Sequence, residues 1–170
     1  MKMNVYDCRT DDNCQAGCPK TPCCPQPCCT PCCPPICIPC QEYAMFHILD
    51  NAAASNTDLT LLPILISSGQ VIAPVSGTEI SLAQGHIFEI SYQVTATGST
   101  AGSFQVEPLI NLVPEASHST TAQLSEAGMS ASVSAAFLVS TLTAPGTFSL
   151  QYTGPNASSV TGAVVIRELA

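Results

Sequence analysis

The residues with the most reactive chemistry are eleven cysteines, all within the first 40 positions: Cys8, Cys14, Cys18, Cys23, Cys24, Cys28, Cys29, Cys32, Cys33, Cys37 and Cys40. Thiols crowded in this way serve disulfides, metal thiolates or redox catalysis. Zinc knuckles use well-separated Cys-x-x-Cys pairs, a spacing that Cys37 and Cys40 supply. Three adjacent pairs, Cys23-Cys24, Cys28-Cys29 and Cys32-Cys33, direct their side chains apart in an extended chain. Adjacent cysteines rarely bond each other, but each can reach a different neighbouring chain once Cα atoms approach within about 7 Å. Disulfides are therefore the favoured reading. A metallothionein-like cluster is the alternative, and proline stiffness works against it. With 11 thiols one is left over in any single chain, either free or bonded to another chain.

The segment that carries these thiols repeats a Pro-Cys-Cys unit at Pro22, Pro27 and Pro31 and continues into Pro34-Pro35. Each proline removes a backbone donor and fixes φ, and it pushes the preceding residue toward extended conformations. Helix is excluded, and an extended, partly polyproline-like ribbon is expected. No glycine recurs at every third position, so the ribbon is not collagen. Ordering a residue costs ~1 to 2 kcal/mol, so fixing such an arm on a neighbour costs tens of kcal/mol. Prolines limit that loss, and each disulfide contributes ~2 to 4 kcal/mol while making the joint covalent. The composition changes after Cys40. We assign residues 1–40 to a connector arm and 41–170 to one folded domain.

Charge narrows the function classes. Charged residues make up 9% of the chain and hydrophobic residues 46%, with no tryptophan. Isolated soluble domains normally spread both signs of charge over their surface, so this deficit points to surface covered by other subunits. A β domain solvated by Ser and Thr is the plainer alternative. Beyond Gln41 the only base is Arg167, against nine of the chain's 12 acids. Nucleic acid needs clustered Lys and Arg, so it is not an expected partner. The longest apolar run, Leu59 to Ile66, is too short to span a bilayer and contains Pro63. No membrane partner is expected. The start, MKMNVYDCRTDD, lacks the apolar core of a secretory signal. Thiol abundance without a signal peptide implies either metal binding or an oxidising exterior reached by another route, such as lysis of the producing cell.

The domain must be built from strands. Phe88, Ile90, Tyr92 and Val94 alternate with Ile87, Glu89, Ser91 and Gln93, the period of two that buries one face. Further strands are expected near Tyr43–Leu49, Leu59–Ile66, Glu79–Leu82, Phe104–Leu112, Val133–Leu142, Thr147–Tyr152 and Val160–Leu169, separated by Gly, Pro, Asn or Ser. Gly128 and the repeated serines argue against helix in 127–136 despite its alanines. Short strands without amphipathic helices predict an all-β sandwich or jelly roll. No catalytic arrangement stands out. His47, His86 and His118 are scattered, Gly98, Gly102 and Gly128 read as turn residues, and there is no phosphate-binding loop. Asn156-Ala157-Ser158 fits an N-glycosylation pattern. No cofactor and no metal site are expected.

Gly85-His86-Ile87-Phe88-Glu89-Ile90-Ser91-Tyr92-Gln93-Val94 resembles the Gly-x-Tyr-Phe-x-x-Ser-Tyr-x-Val strand of the TNF-like superfamily, especially the globular heads of the first complement component. Ser159-Val160-Thr161-Gly162-Ala163-Val164-Val165-Ile166 is similar to that family's last strand, with Val160 where an aromatic is usual. Among bacterial members the chain resembles the C-terminal domain of the bacillus collagen-like exosporium glycoprotein and the TNF-like subunits of endospore appendage fibres. The resemblance covers roughly residues 43–170. It implies a ten-stranded jelly roll forming a tight homotrimer, with the N-termini at one pole. Phe88, Ile90, Tyr92, Phe137 and Val164 are the candidates for core or trimer axis. Some TNF-like heads hold calcium at the trimer pole, but no Asp-x-Asp-x-Asp run is present here.

The exosporium glycoprotein's collagen-like stalk is absent, and a Cys/Pro arm takes its place. That favours an appendage fibre in which each arm joins one trimer to the next. An odd thiol count stays odd in a trimer, so complete oxidation would require a bond between trimers. The implied setting is the spore surface, extracellular after mother-cell lysis, with the chain itself as main partner and a surface anchor protein and a tip protein as further ones. A trimeric binding head anchored by its arm and a metal-binding cysteine-rich protein are the competing readings.

Overall fold

The computed structural model describes residues 41–169. Residues 1–40, and with them every cysteine and the connector-arm assignment, lie outside the described residues, as does Ala170. The strands are β1 (Tyr43–Asp50), β2 (Thr57–Asp58), β3 (Leu61–Ile66), β4 (Ile72–Pro74), β5 (Ile80–Leu82), β6 (Ile87–Gly98), β7 (Gly102–Ile110), β8 (Val113–Pro114), β9 (Thr120–Leu124), β10 (Ser130–Ser140), β11 (Gly146–Thr153) and β12 (Ala157–Glu168). One 3-10 turn, Ala116–His118, lies before β9. The resemblance implied ten strands; twelve are present among the described residues, and β2 and β8 have only two residues each.

Two antiparallel sheets face each other. The first runs β10-β6-β12-β1-β3; the second runs β4-β5-β11-β7-β8, with β2 on β11 and β9 on β7. Alternation on β6 puts Phe88, Ile90, Tyr92, Val94 and Ala96 inward, where they meet Phe46 and Ile48 of β1 and Val164 and Ile166 of β12. Phe104, Val106, Phe148, Leu150 and Tyr152 close the core from the second sheet, with Phe104 and Tyr152 stacked at 5.8 Å. Each large side chain so buried contributes ~1.5 to 3 kcal/mol.

Local chemistry resets several expected boundaries. The run Leu59–Ile66 is not one strand, because Thr60 turns to bond Asp50 through its amide (2.9 Å) and hydroxyl (2.6 Å). Strand β7 stops at Ile110, where Asn111 and Leu112 take left-handed conformations (φ 54° and 64°) and the Thr147 amide donates to Asn111 Oδ1 at 2.8 Å. Strand β10 begins at Ser130 and ends at Ser140, before the Thr141 hydroxyl donates to the Ala83 carbonyl at 2.6 Å. Strands β2, β4, β8 and β9 have no counterpart in the sequence pattern. Gly162 of the resemblance motif has a packing role, since a Cβ there would collide with the Gln93 carbonyl of β6.

Candidate functional site

The first sheet presents a second, outward face. Its register aligns four cross-strand rows: Tyr43-Arg167-Glu89-Leu138, Met45-Val165-Ser91-Ala136, His47-Ala163-Gln93-Ser134 and Leu49-Thr161-Thr95-Ser132. Leu65 and Leu62 of β3 extend the Met45 and His47 rows to the far edge, 49% and 41% exposed. Arg167 and Glu89 are the only full charges in these rows, and they sit opposite each other. The half nearest the point where Gln41 enters surrounds that charge pair with Tyr43, Met45, Val165, Ala136 and Leu138. The other half is lined by hydroxyls, with Thr95–Ser132 and Thr97–Ser130 pairs at 2.7 Å. Central strands β12 and β1 carry apolar side chains on both faces, a pattern that belongs to sheets covered on both sides.

A polar knot fixes the end of the domain where β1 begins and β12 ends. The Glu42 carboxylate accepts from the amides of Val71 (2.9 Å) and Ile72 (3.3 Å) and from the Ser68 hydroxyl. Glu168 accepts from the Glu42 amide at 2.8 Å and contacts His86 Nδ1 at 2.7 Å. Both carboxylates are buried, so these donors replace the water they lose. Together they bind the first and last strands to the loops after β3 and β5.

Phe88, Ile90 and Tyr92 point inward on β6, Val164 does so on β12, and all four are buried within one subunit. Phe137 lies on edge strand β10, 6% exposed, with its ring stacked on His118 at 4.4 Å. Sequence reasoning missed the outward set, including Met45, Leu65, Ala163 and Val165. The available signal was that β1 and β12 are apolar at odd as well as even positions. The three histidines do not converge: His47 is on the outward face, His86 is in the polar knot, and His118 is in the turn before β9. Among the described residues, no group of three or more His, Cys, Asp or Glu gathers as for a metal ion.

The Tyr92 hydroxyl donates to the His118 carbonyl at 2.8 Å and lies 2.9 Å from the Thr120 hydroxyl, tying the two sheets together. Burial raises the pKa of Tyr92 against a smaller opposing effect of the Thr120 hydrogen bond, and burial also raises that of Tyr152. The neutral phenol is favoured in the fold, so this stability is fully present below the ordinary value of 10.0 and is lost as pH climbs through the raised folded values. Tyrosinate absorbance against pH is expected to show these two groups titrating late, together with loss of near-ultraviolet ellipticity. Tyr92→Phe removes the hydroxyl and is expected to cost ~1 kcal/mol in denaturant unfolding; a variant as stable as the wild type would deny the tie.

No protein-family model matches the chain, and no curated protein matches it. Solved structures do. Murine APRIL at pH 5.0 aligns at 14% identity over 75% of this chain and 99% of that one, with a TM-score of 0.52. Eiger TNF from S. frugiperda aligns at 11% identity over 76% and 93%, with a TM-score of 0.52. The vertex protein P5 of PRD1 aligns at 16% identity over 76% and 97%, with a TM-score of 0.49. The likenesses to APRIL and Eiger carry the fold: residues 43–168 form a TNF-like jelly roll.

Proposed function

We propose that this chain is a structural subunit that forms homotrimers through the outward face of the β10-β6-β12-β1-β3 sheet, and that its N-terminal arm joins trimers into a disulfide-crosslinked fibre on the spore surface. The observation that carries the trimer is that face, mostly apolar or hydroxyl-lined across five strands, with His47 and Gln93 in its middle row and a single Glu89–Arg167 charge pair. Burying it costs little desolvation. The TNF-like motifs in β6 and β12 support the threefold, and the Cys/Pro arm supports the axial joint. The role needs no catalysis, cofactor or metal. An anchored trimeric binding head shares the trimer but not the joint. Electron microscopy of purified full-length protein tests the reading: filaments are expected, and isolated trimers or a surface coat would favour the binding head.

Thiol chemistry gives a separate test. Protein freshly made inside the cell is expected to alkylate at its arm cysteines, and assembled protein to do so only after reduction. Elemental analysis is expected to find no stoichiometric zinc or copper. Several metal ions per chain would replace the fibre joint by the metal-binding reading.

A further inference from the structure

We infer that Glu42 and Glu168 form a tension clamp, which holds the start of β1 in the domain when the chain before Gln41 is pulled. The clamp adds to the fibre reading a means of carrying tension, yet it is a property of one chain, and its test needs no filament. Any pull on residues 1–40 enters the domain through the Cys40–Gln41 peptide bond. The first strand it meets is β1, which lies between β12 and β3. Both pairings are antiparallel, so the C-terminal end of β12 lies beside the N-terminal start of β1. Tension between the two chain ends therefore opens this ladder rung by rung, beginning at Glu42 and Glu168. The first rung carries the whole load.

That rung is held by more than the ladder. The Glu42 amide donates to Glu168 Oε2 at 2.8 Å, and the Glu168 amide donates to the Glu42 carbonyl at 2.8 Å. Gln41 Nε2 donates to the Leu169 carbonyl at 3.1 Å. The Tyr43 amide donates to Ser67 Oγ at 3.0 Å, and the Ser67 amide returns a bond to the Tyr43 carbonyl at 3.0 Å. The Glu42 carboxylate reaches further, since one of its donors, the Ile72 amide, belongs to β4 of the second sheet. A pull on β1 is thus divided between both sheets before any strand pair opens.

Charge and burial make this rung slow to part. Hydrogen bonds to a carboxylate are roughly twice as strong as neutral ones. Glu42 and Glu168 are 8% and 9% exposed, so little water is at hand to replace a stretched bond. His86 Nδ1, 2.7 Å from Glu168 Oε1, fixes that carboxylate to the segment just before β6. The far end of β1 has a plainer tie, in which Asp50 accepts from the amide and hydroxyl of Thr60 alone. Under tension from the N-terminal side, that tie is reached only after the rungs between have opened.

Optical tweezers test this on the full-length chain, held by tags fused at its two ends and kept reduced, through the unfolding rate at constant force. Glu42→Ala is expected to unfold about tenfold faster than the wild type, and Glu42→Gln, which keeps an acceptor oxygen in place, at an intermediate rate. Thr60→Val is the control. It loses a carboxylate bond at the far end of β1, so it is expected to lower the midpoint of denaturant unfolding yet leave the rate under force unchanged. Circular dichroism confirms that each variant is folded; if Glu42→Ala is not, Glu42→Gln carries the comparison. Wild-type rates in the Glu42 variants would overturn the clamp. So would a Thr60→Val chain that gives way as fast as they do, since that is an ordinary loss of stability. These single-chain outcomes leave the fibre reading to electron microscopy, which decides it separately.

Discussion

Val165→Asp is expected to turn the trimer into a folded monomer, whereas Val164→Asp, one residue earlier, is expected to prevent folding. The two side chains differ only in parity along β12. Val164 is completely buried in the core, against Tyr92 of β6, and an unpaired carboxylate there costs upward of ~4 kcal/mol, a large part of the ~5 to 15 kcal/mol that holds a domain together. Val165 lies on the outward face between Met45 and Ser91. A carboxylate there stays hydrated in the monomer and loses water only when subunits close. Melting curves separate the variants, and light scattering at micromolar concentration reads the oligomer. A trimeric Val165→Asp would remove the outward face from the interface; a stable Val164→Asp would mean the register is displaced by one residue, which exchanges the faces of the whole strand.

That contrast marks what composition and pattern made legible. The alternation from Phe88 to Val94 specified an inward face because β6 is flanked on both sides, by β10 and β12, and each neighbour enforces the same parity. Strand β9, Thr-Thr-Ala-Gln-Leu, was not legible: it pairs only with β7 and buries Leu124 alone, so little apolar signal is left in its sequence. Strand β4 is three residues long and ends in Pro74, below the length at which a period can be read. The polar knot was equally hidden, since Glu42 and Glu168 are at opposite ends of the domain sequence and only pairing of the first and last strands brings them together. The outward face was legible in principle. Tyr43-Ala44-Met45-Phe46 and Ala163-Val164-Val165-Ile166 have no polar parity, which signals a strand covered on both faces rather than a half-exposed one.

Cysteine placement constrains the axial joint more sharply than cysteine number does. No cysteine follows Cys40, so a disulfide between subunits can join only one arm to another arm. For the arm to crosslink successive trimers it must extend past one whole domain to reach the arms that root at the next. A 12-residue strand such as β6 spans about 40 Å, while 40 residues in polyproline geometry reach at most about 120 Å. Glu42 sets the root of that reach, because its carboxylate holds β1 to the loop after β3 just beyond the last cysteine.

Deleting residues 1–40 is therefore expected to abolish filaments and leave the trimer intact. In the proposed assembly the threefold contacts come from the sheet face, beyond residue 41, while every axial crosslink depends on the arm. Negative-stain microscopy reads the first outcome and sedimentation velocity the second. Replacing all 11 cysteines by serine separates covalent from noncovalent parts of the joint. Filaments of that variant are expected to form where the proline ribbon docks on its own, and to fall apart in denaturant that wild-type filaments survive. Reducing agent should bring the wild type to the same limit. Filaments of unchanged axial repeat from the arm-deleted chain would move the axial contact into the jelly roll itself and leave the arm as an anchor or a metal site.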